Sequence, residues 1–273
     1  MPEAAGIYYT LYEGGNIDLP PVVLIHGAGG SYLSWPAEMR RLNGQQVLAL
    51  DLPGHGKSRG FAQQSIPAYA DLIHNFLAEL GLSEAVLVGH SMGGAIALTL
   101  ALKYPRQVAG LGLLASGAFL GIESSLIEEL GNPTTISSGL LRLQKRIFSP
   151  STSPALIDAA MRPLRELRPS LLLADWLACA AFDLREMVDQ IHAPAWIACG
   201  SDDSLTPLAY SHFLAAHLPV AKLQVVPAAG HMLIAEQPRL VTQGFCDFLT
   251  LQLPIIQSYR WDLHRLYQSV EKK

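Results

Sequence analysis

A doubly wound α/β fold is what this sequence predicts, and three observations carry the prediction. Short, almost wholly apolar runs recur along the chain. Segments with helical spacing of apolar residues separate them. One run passes through Gly89-His90-Ser91-Met92-Gly93 straight into another apolar segment, Ala95 to Leu102. That is the pattern of a strand, a sharp turn and a helix, with a serine at the bend.

The strand segments come in order. Tyr8 to Tyr12 reads as an early strand, joined onward through Gly14-Gly15. Val22 to Ile25, Val47 to Leu50, Ala85 to Val88, Leu111 to Leu114, Ala195 to Cys199 and Leu223 to Val226 follow. Continuous apolar character suits parallel strands covered on both faces. Between them, Ser65 caps a helix from Ile66 to Leu80 whose Ile66, Tyr69, Ala70, Ile73, Leu77 and Leu80 share one face. Gly81 ends it. Pro238 opens a late helix whose inward face carries Leu240, Val241, Phe245, Phe248 and Leu249.

The alternation stops between Phe119 and Phe182, a leucine-rich stretch with no clear strand. It reads as short helices inserted over the carboxyl ends of the strands, where open α/β sheets bind ligands. Arg142, Lys145, Arg146, Arg162, Arg165 and Arg168 match six acidic residues there, the balance of solvated helix faces. After Pro254, Ile256, Tyr259, Leu263, Leu266 and Val270 form a narrow seam that packs on its own domain or on a second subunit. The expected organisation is a sheet core over 1–118 and 183–254, a helical cap over 119–182 and a helical extension over 255–273.

Composition narrows the function classes. Half of the 273 residues are apolar and 15% are charged, which fits a compact globular protein. A net charge of −4 gives no footprint for nucleic acid or an anionic membrane. Cys179, Cys199 and Cys246 have no metal-like spacing and read as structural thiols of a reducing, cytoplasmic compartment. The first six residues carry no signal-peptide pattern. Ala85 to Leu102 is uncharged and nearly long enough to span a bilayer, but its glycines, His90 and Ser91 read better as a buried strand and helix. No H-E-x-x-H and no C-x-x-C occurs, and no cofactor or metal site is expected.

The chemistry starts from Ser91. A serine hydroxyl is a poor nucleophile until a base takes its proton, and histidine suits that task. A carboxylate must then hold the imidazole in one tautomer. Among nine histidines, His231 lies in a loop just past the last strand, Pro227-Ala228-Ala229-Gly230-His231. His74, His212 and His217 fall on helix bodies, His192 precedes its strand, and His26 and His55 are upstream of the serine. For the acid, Asp202 and Asp203 both follow the strand Ala195 to Cys199; Asp203 is favoured by G-x-x-D-x-x-T-P, ending at Thr206-Pro207. Oxyanion donors are expected from the backbone N–H groups of Met92, at the helix start, and Ala28, in His26-Gly27-Ala28-Gly29-Gly30.

Together these residues resemble the α/β-hydrolase superfamily. His26-Gly27 looks like its oxyanion loop, and Asp51-Leu52-Pro53-Gly54-His55-Gly56-Lys57-Ser58 is similar to its D-x-P-G-x-G-x-S turn. Gly89 to Gly93 matches its nucleophile elbow, and the order serine, acid, histidine is the family's. The resemblance covers about residues 7 to 251. It implies a mostly parallel sheet of eight strands, or seven, since little precedes Ile7, and a variable cap. It also implies a serine carboxylesterase that cleaves small to medium esters through Ser91, His231 and Asp203. The leucine-rich cap suits an apolar portion of the substrate. A carbon–carbon bond hydrolase, thioesterase, amidase or lipase on the same scaffold, and a ligand-binding receptor with residual turnover, are the competing readings. The expected assembly is a monomer, or a homodimer through the C-terminal helix.

Overall fold

Val22, Val23, Leu24 and Ile25 are all fully buried, because alternate side chains of their strand meet two different apolar layers. This pattern organises the computed structural model, which describes residues 2–14 and 19–253. Its strands are β1 (Glu3–Ala4), β2 (Ile7–Glu13), β3 (Val22–Ile25), β4 (Gln46–Leu50), β5 (Ala85–His90), β6 (Val108–Leu114), β7 (Ala195–Gly200) and β8 (Ala221–Val226). They form one sheet in the order β1-β2-β4-β3-β5-β6-β7-β8. β1 and β2 pair antiparallel with each other, as do β2 and β4, and the remaining pairs are parallel. The two-residue β1 completes the eight-stranded sheet.

Helices cover both faces. The first three are α1 (Ala37–Arg40), α2 (Ile66–Glu79) and α3 (Met92–Lys103). α4 (Ser124–Gly131), α5 (Ile136–Ile147), α6 (Pro154–Arg165) and α7 (Pro169–Ala180) follow between β6 and β7, and α8 (Leu208–His217), α9 (Leu233–Glu236) and α10 (Pro238–Asp247) come after β7. α2, α3 and α8 pack on one face of the sheet, α1 and α10 on the other. In α2 the Ser65 hydroxyl accepts the Ala68 N–H at 3.3 Å, and Gly81 follows at φ +68°. Its buried face adds Phe76 to the expected residues; Leu80, at the C-cap, is half-buried.

Two expectations need correction. Leu240 does not face inward; it is 45% exposed. Val241, Phe245 and Phe248 carry the buried face at spacings of four and three. At 3.6 residues per turn Leu240 lies about 100° round from Val241. The run Leu223 to Val226 is not covered on both faces either. β8 is an edge strand paired only with β7 among the described residues, Val225 is exposed, and Val226 alone is buried.

α4 to α7 bury a third apolar cluster that includes Leu126, Leu130, Leu143, Ile147, Leu172 and Trp176. An antiparallel bridge between Phe119 and Asp183 lies at the root of this insertion. Cys179 and Cys199 are buried free thiols. No helix among the described residues is long and apolar enough to cross a membrane, and Ala85 to Leu102 is divided at Ser91 between β5 and α3. The extension over 255–273, with its expected subunit contact, lies outside the described residues.

Candidate active site

Ser91 occupies the bend between β5 and α3 at φ 54° and ψ −117°. A non-glycine residue at positive φ is strained by roughly 1–3 kcal/mol, and such strain collects at functional sites. The surroundings hold it there. The Ser91 N–H donates to the Leu114 carbonyl at 2.9 Å, and the Ser116 hydroxyl donates to the Ser91 carbonyl at 2.9 Å. Gly93 has no room for a side chain: a Cβ would lie 2.1 Å from the Ile25 carbonyl oxygen. The sharp turn therefore depends on the bare backbone at that position.

Asp203 and His231 come together from the loops after β7 and β8. The His231 Nδ1 lies 3.0 Å from Asp203 Oδ2, and both residues are buried. Asp203 is held from its other side. Its Oδ1 accepts the N–H groups of Leu205 and Thr206 at 2.9 and 2.8 Å, and its Oδ2 accepts the Thr206 hydroxyl at 2.8 Å. Burial opposes its charge, but the facing His231 and these hydrogen bonds outweigh burial and hold the carboxyl below its usual range. A carboxylate facing Nδ1 makes that nitrogen the donor and leaves Nε2 with a free lone pair.

Asp202 turns away. It accepts the Ser149 hydroxyl at 2.5 Å and the Ser201 hydroxyl at 2.9 Å, and makes no contact with His231. The pair of adjacent aspartates is thereby divided: Asp203 faces the imidazole and Asp202 faces the insertion.

His90 contributes something the sequence reading missed. Its Nε2–H donates to the His231 carbonyl at 2.9 Å, tying the histidine loop to the serine turn. Burial, and then the neighbouring His231, push its pKa down to about 3, so the ring is a neutral donor. The signal lay in its position beside Ser91, but only the folded chain brings residue 231 within reach. Glu236 fixes the same loop from below, accepting the N–H groups of Gly230 and Ser149 at 2.8 Å each.

Ser91, His231 and Ala28 all line one cavity of about 610 Å³. Its far wall is built by the insertion, from Leu143 and Ile147 on α5 to Leu164, Leu172 and Trp176 on α6 and α7. Among the described residues no lysine or arginine lines it, and Glu166 is the one carboxylate that does. Among the described residues no acceptor engages the Ala28 N–H. Met92 is the first residue of α3, where helical N–H groups lack intrahelical acceptors. The Ser91 hydroxyl and the imidazole share the cavity wall without a hydrogen bond between them in this conformation.

Comparison with known proteins agrees with this architecture. Residues 22–243 match the model of the "Alpha/beta hydrolase family". The chain is 30% identical over 263 residues to the dihydrolipoyllysine-residue acetyltransferase component of an acetoin cleaving system from Pseudomonas putida, covering 90% of this chain and 68% of that one. It is 28% identical over 256 residues to the 2-hydroxy-6-oxo-6-phenylhexa-2,4-dienoate hydrolase of Burkholderia cepacia, covering 84% and 87%. A solved structure of a thermophilic esterase from Thermogutta terrifontis superposes with a TM-score of 0.80 at 25% identity, over 89% of this chain and 92% of that one. With the elbow at Ser91, the eight-stranded sheet and a family match that spans most of its length, this chain is a hydrolase belonging to the alpha/beta hydrolase family.

Proposed function

We propose that this protein hydrolyses carboxylic esters whose acyl or alcohol portion is apolar, through a Ser91-His231-Asp203 triad. The observation that carries the reading is a strained serine and a carboxylate-paired histidine on the wall of one apolar cavity. The Ser91 Oγ attacks the ester carbonyl carbon as Nε2 of His231 takes its proton. Asp203 keeps Nδ1 protonated and stabilises the imidazolium. The carbonyl oxygen becomes an oxyanion, received by the N–H groups of Ala28 and Met92, each worth about 3 kcal/mol in the transition state. Collapse breaks the bond to the alcohol oxygen, which leaves with the proton from Nε2. Water then attacks the acyl-enzyme, giving its proton to His231, and Ser91 is regenerated with release of the acid.

The Burkholderia cepacia relative supports a second reading, hydrolysis of a carbon–carbon bond in a dienoate. The cavity lining opposes it, since among the described residues an anionic substrate would meet Glu166 and no lysine or arginine. p-Nitrophenyl esters from acetate to decanoate, assayed beside a 2-hydroxy-6-oxodienoate, test the choice. The ester reading expects turnover of the esters, best at medium chain length, and none of the dienoate. Turnover of the dienoate alone would overturn it.

A further inference from the structure

Asp175 is the one charged residue of helix α7, and its carboxylate is fully enclosed. It accepts three hydrogen bonds from three segments far apart in the chain. The Tyr69 hydroxyl donates to Oδ1 at 2.6 Å. The Nε2–H of His55 and the backbone N–H of Gly29 both donate to Oδ2 at 2.8 Å.

The His55 Nδ1 is 3.1 Å from the Pro53 carbonyl and its Nε2 is 2.8 Å from Asp175 Oδ2, an arrangement of acceptors that favours the protonated ring. Burial opposes that charge, but Asp175 outweighs burial and raises the His55 pKa. Neighbouring His26 is the opposite case. Its Nδ1–H donates to the Gly27 carbonyl and its Nε2 accepts the Leu52 N–H, which makes it neutral. Burial, and then the charge on His55, lower its pKa.

A buried ion pair is a poor device for stability, because desolvation consumes most of its attraction. The third hydrogen bond indicates its use. Gly27 to Gly30 form a turn closed by the Gly30 N–H on the Gly27 carbonyl at 3.0 Å. Gly29, at φ +66°, takes the position where a type II turn requires positive φ. The N–H held by Asp175 belongs to the central peptide of that turn, directly after Ala28. Types I and II differ by a flip of this peptide, so an acceptor fixed beside its N–H selects one of the two. A Cβ at Gly29 would also lie 2.7 and 2.8 Å from the Leu164 and Leu172 side chains, so α6 and α7 press on the same turn.

We infer that Asp175 is a positioning residue: through Gly29 it holds the Ala28 loop in the geometry that receives the oxyanion, so that catalysis depends on the seating of α7. His55 and Tyr69 orient the carboxylate. The inference rests on the ester-hydrolase reading above. The test measures p-nitrophenyl butyrate kinetics and trifluoromethyl ketone affinity for wild type and three variants: Asp175→Ala, Asp175→Asn, and the triple His55→Leu, Tyr69→Phe, Asp175→Leu. The triple replaces the whole polar cluster with apolar groups, and so keeps a foldable core if Asp175→Ala alone unfolds.

In the folded alanine or triple variant kcat should fall about 10–100-fold with KM changed by less than about threefold. Affinity for the ketone, which forms an oxyanion on Ser91, should fall in parallel. The asparagine variant keeps one oxygen for Gly29 while the Tyr69 hydroxyl can rotate to accept, so it should recover most of kcat. A folded triple variant with wild-type kcat, a loss confined to KM, or an asparagine variant no better than alanine overturns the inference. Wild-type turnover is read first: its absence contradicts the ester reading, whereas its presence beside unaffected variants contradicts the role of Asp175 alone.

Discussion

A serine held at φ 54° gains nothing from that backbone in stability, so its neighbours must sustain the strain. Ser91→Ala should leave the fold intact and lower turnover by about 10⁶-fold, since a triad acts as a unit. The acid can be tested by contrast. Asp203→Asn would put an amide against Nδ1 and disturb the tautomer, at a cost of about 10⁴-fold in kcat. Asp202→Asn faces Ser149 and should keep kcat within about threefold of wild type. Steady-state ester kinetics on the two variants read this directly; equal losses would undo the assignment of roles. The placement of Ser91, Asp203 and His231 at strand ends was legible from local patterns, whereas their catalytic roles are a proposal. Asp175 was not legible. It counted as one more solvated charge of the insertion, and its partners His55 and Tyr69 are more than 100 residues away in sequence. Its single placement inside an apolar helix was the available signal.

Elements obey the same physics with fewer exceptions. The buried face of α10 is carried by Val241 and Phe245, and Phe245 packs against Trp196 with ring centroids 5.6 Å apart. Phe245→Ala should cost about 3–5 kcal/mol, as a large cavity opens in a layer that cannot collapse. Leu240→Ala, on the exposed side, should stay within about 0.5 kcal/mol of wild type. Urea denaturation of both variants checks the pair. The expected inward Leu240 failed because it lies about 100° round the helix from Val241, outside the stripe that Val241, Phe245 and Phe248 share. The two-sided reading of β8 failed for a related reason: an apolar run does not reveal whether its strand is central or at the edge.

At the scale of the molecule, buried histidines shape the response to pH. His90 is neutral in the folded chain, with its pKa at about 3, whereas an unfolded histidine titrates near 6.5. The unfolded state therefore binds the extra proton first, and stability falls as pH drops below about 6.5. His26, also lowered, adds to the same slope. His55 acts oppositely: its contribution is full below about 6.5 and is lost as pH rises through its raised folded value. Denaturation between pH 4.5 and 5.5 should show His90→Gln with a slope smaller by about 1.4 kcal/mol per pH unit than wild type. An unchanged slope would mean that His90 is charged in the fold. The strand order and the meeting of α7 with the Gly27–Gly30 turn were beyond the sequence, because both are long-range contacts with no local signature.

The measurement that bears most directly on the central claim is covalent labelling with a fluorophosphonate, followed by mass mapping of the modified peptide. Labelling should cause stoichiometric, time-dependent loss of esterase activity, with the adduct on Ser91 and none in Ser91→Ala. A fully active enzyme after labelling, or an adduct on any other residue that accounts for the lost activity, would contradict the claim.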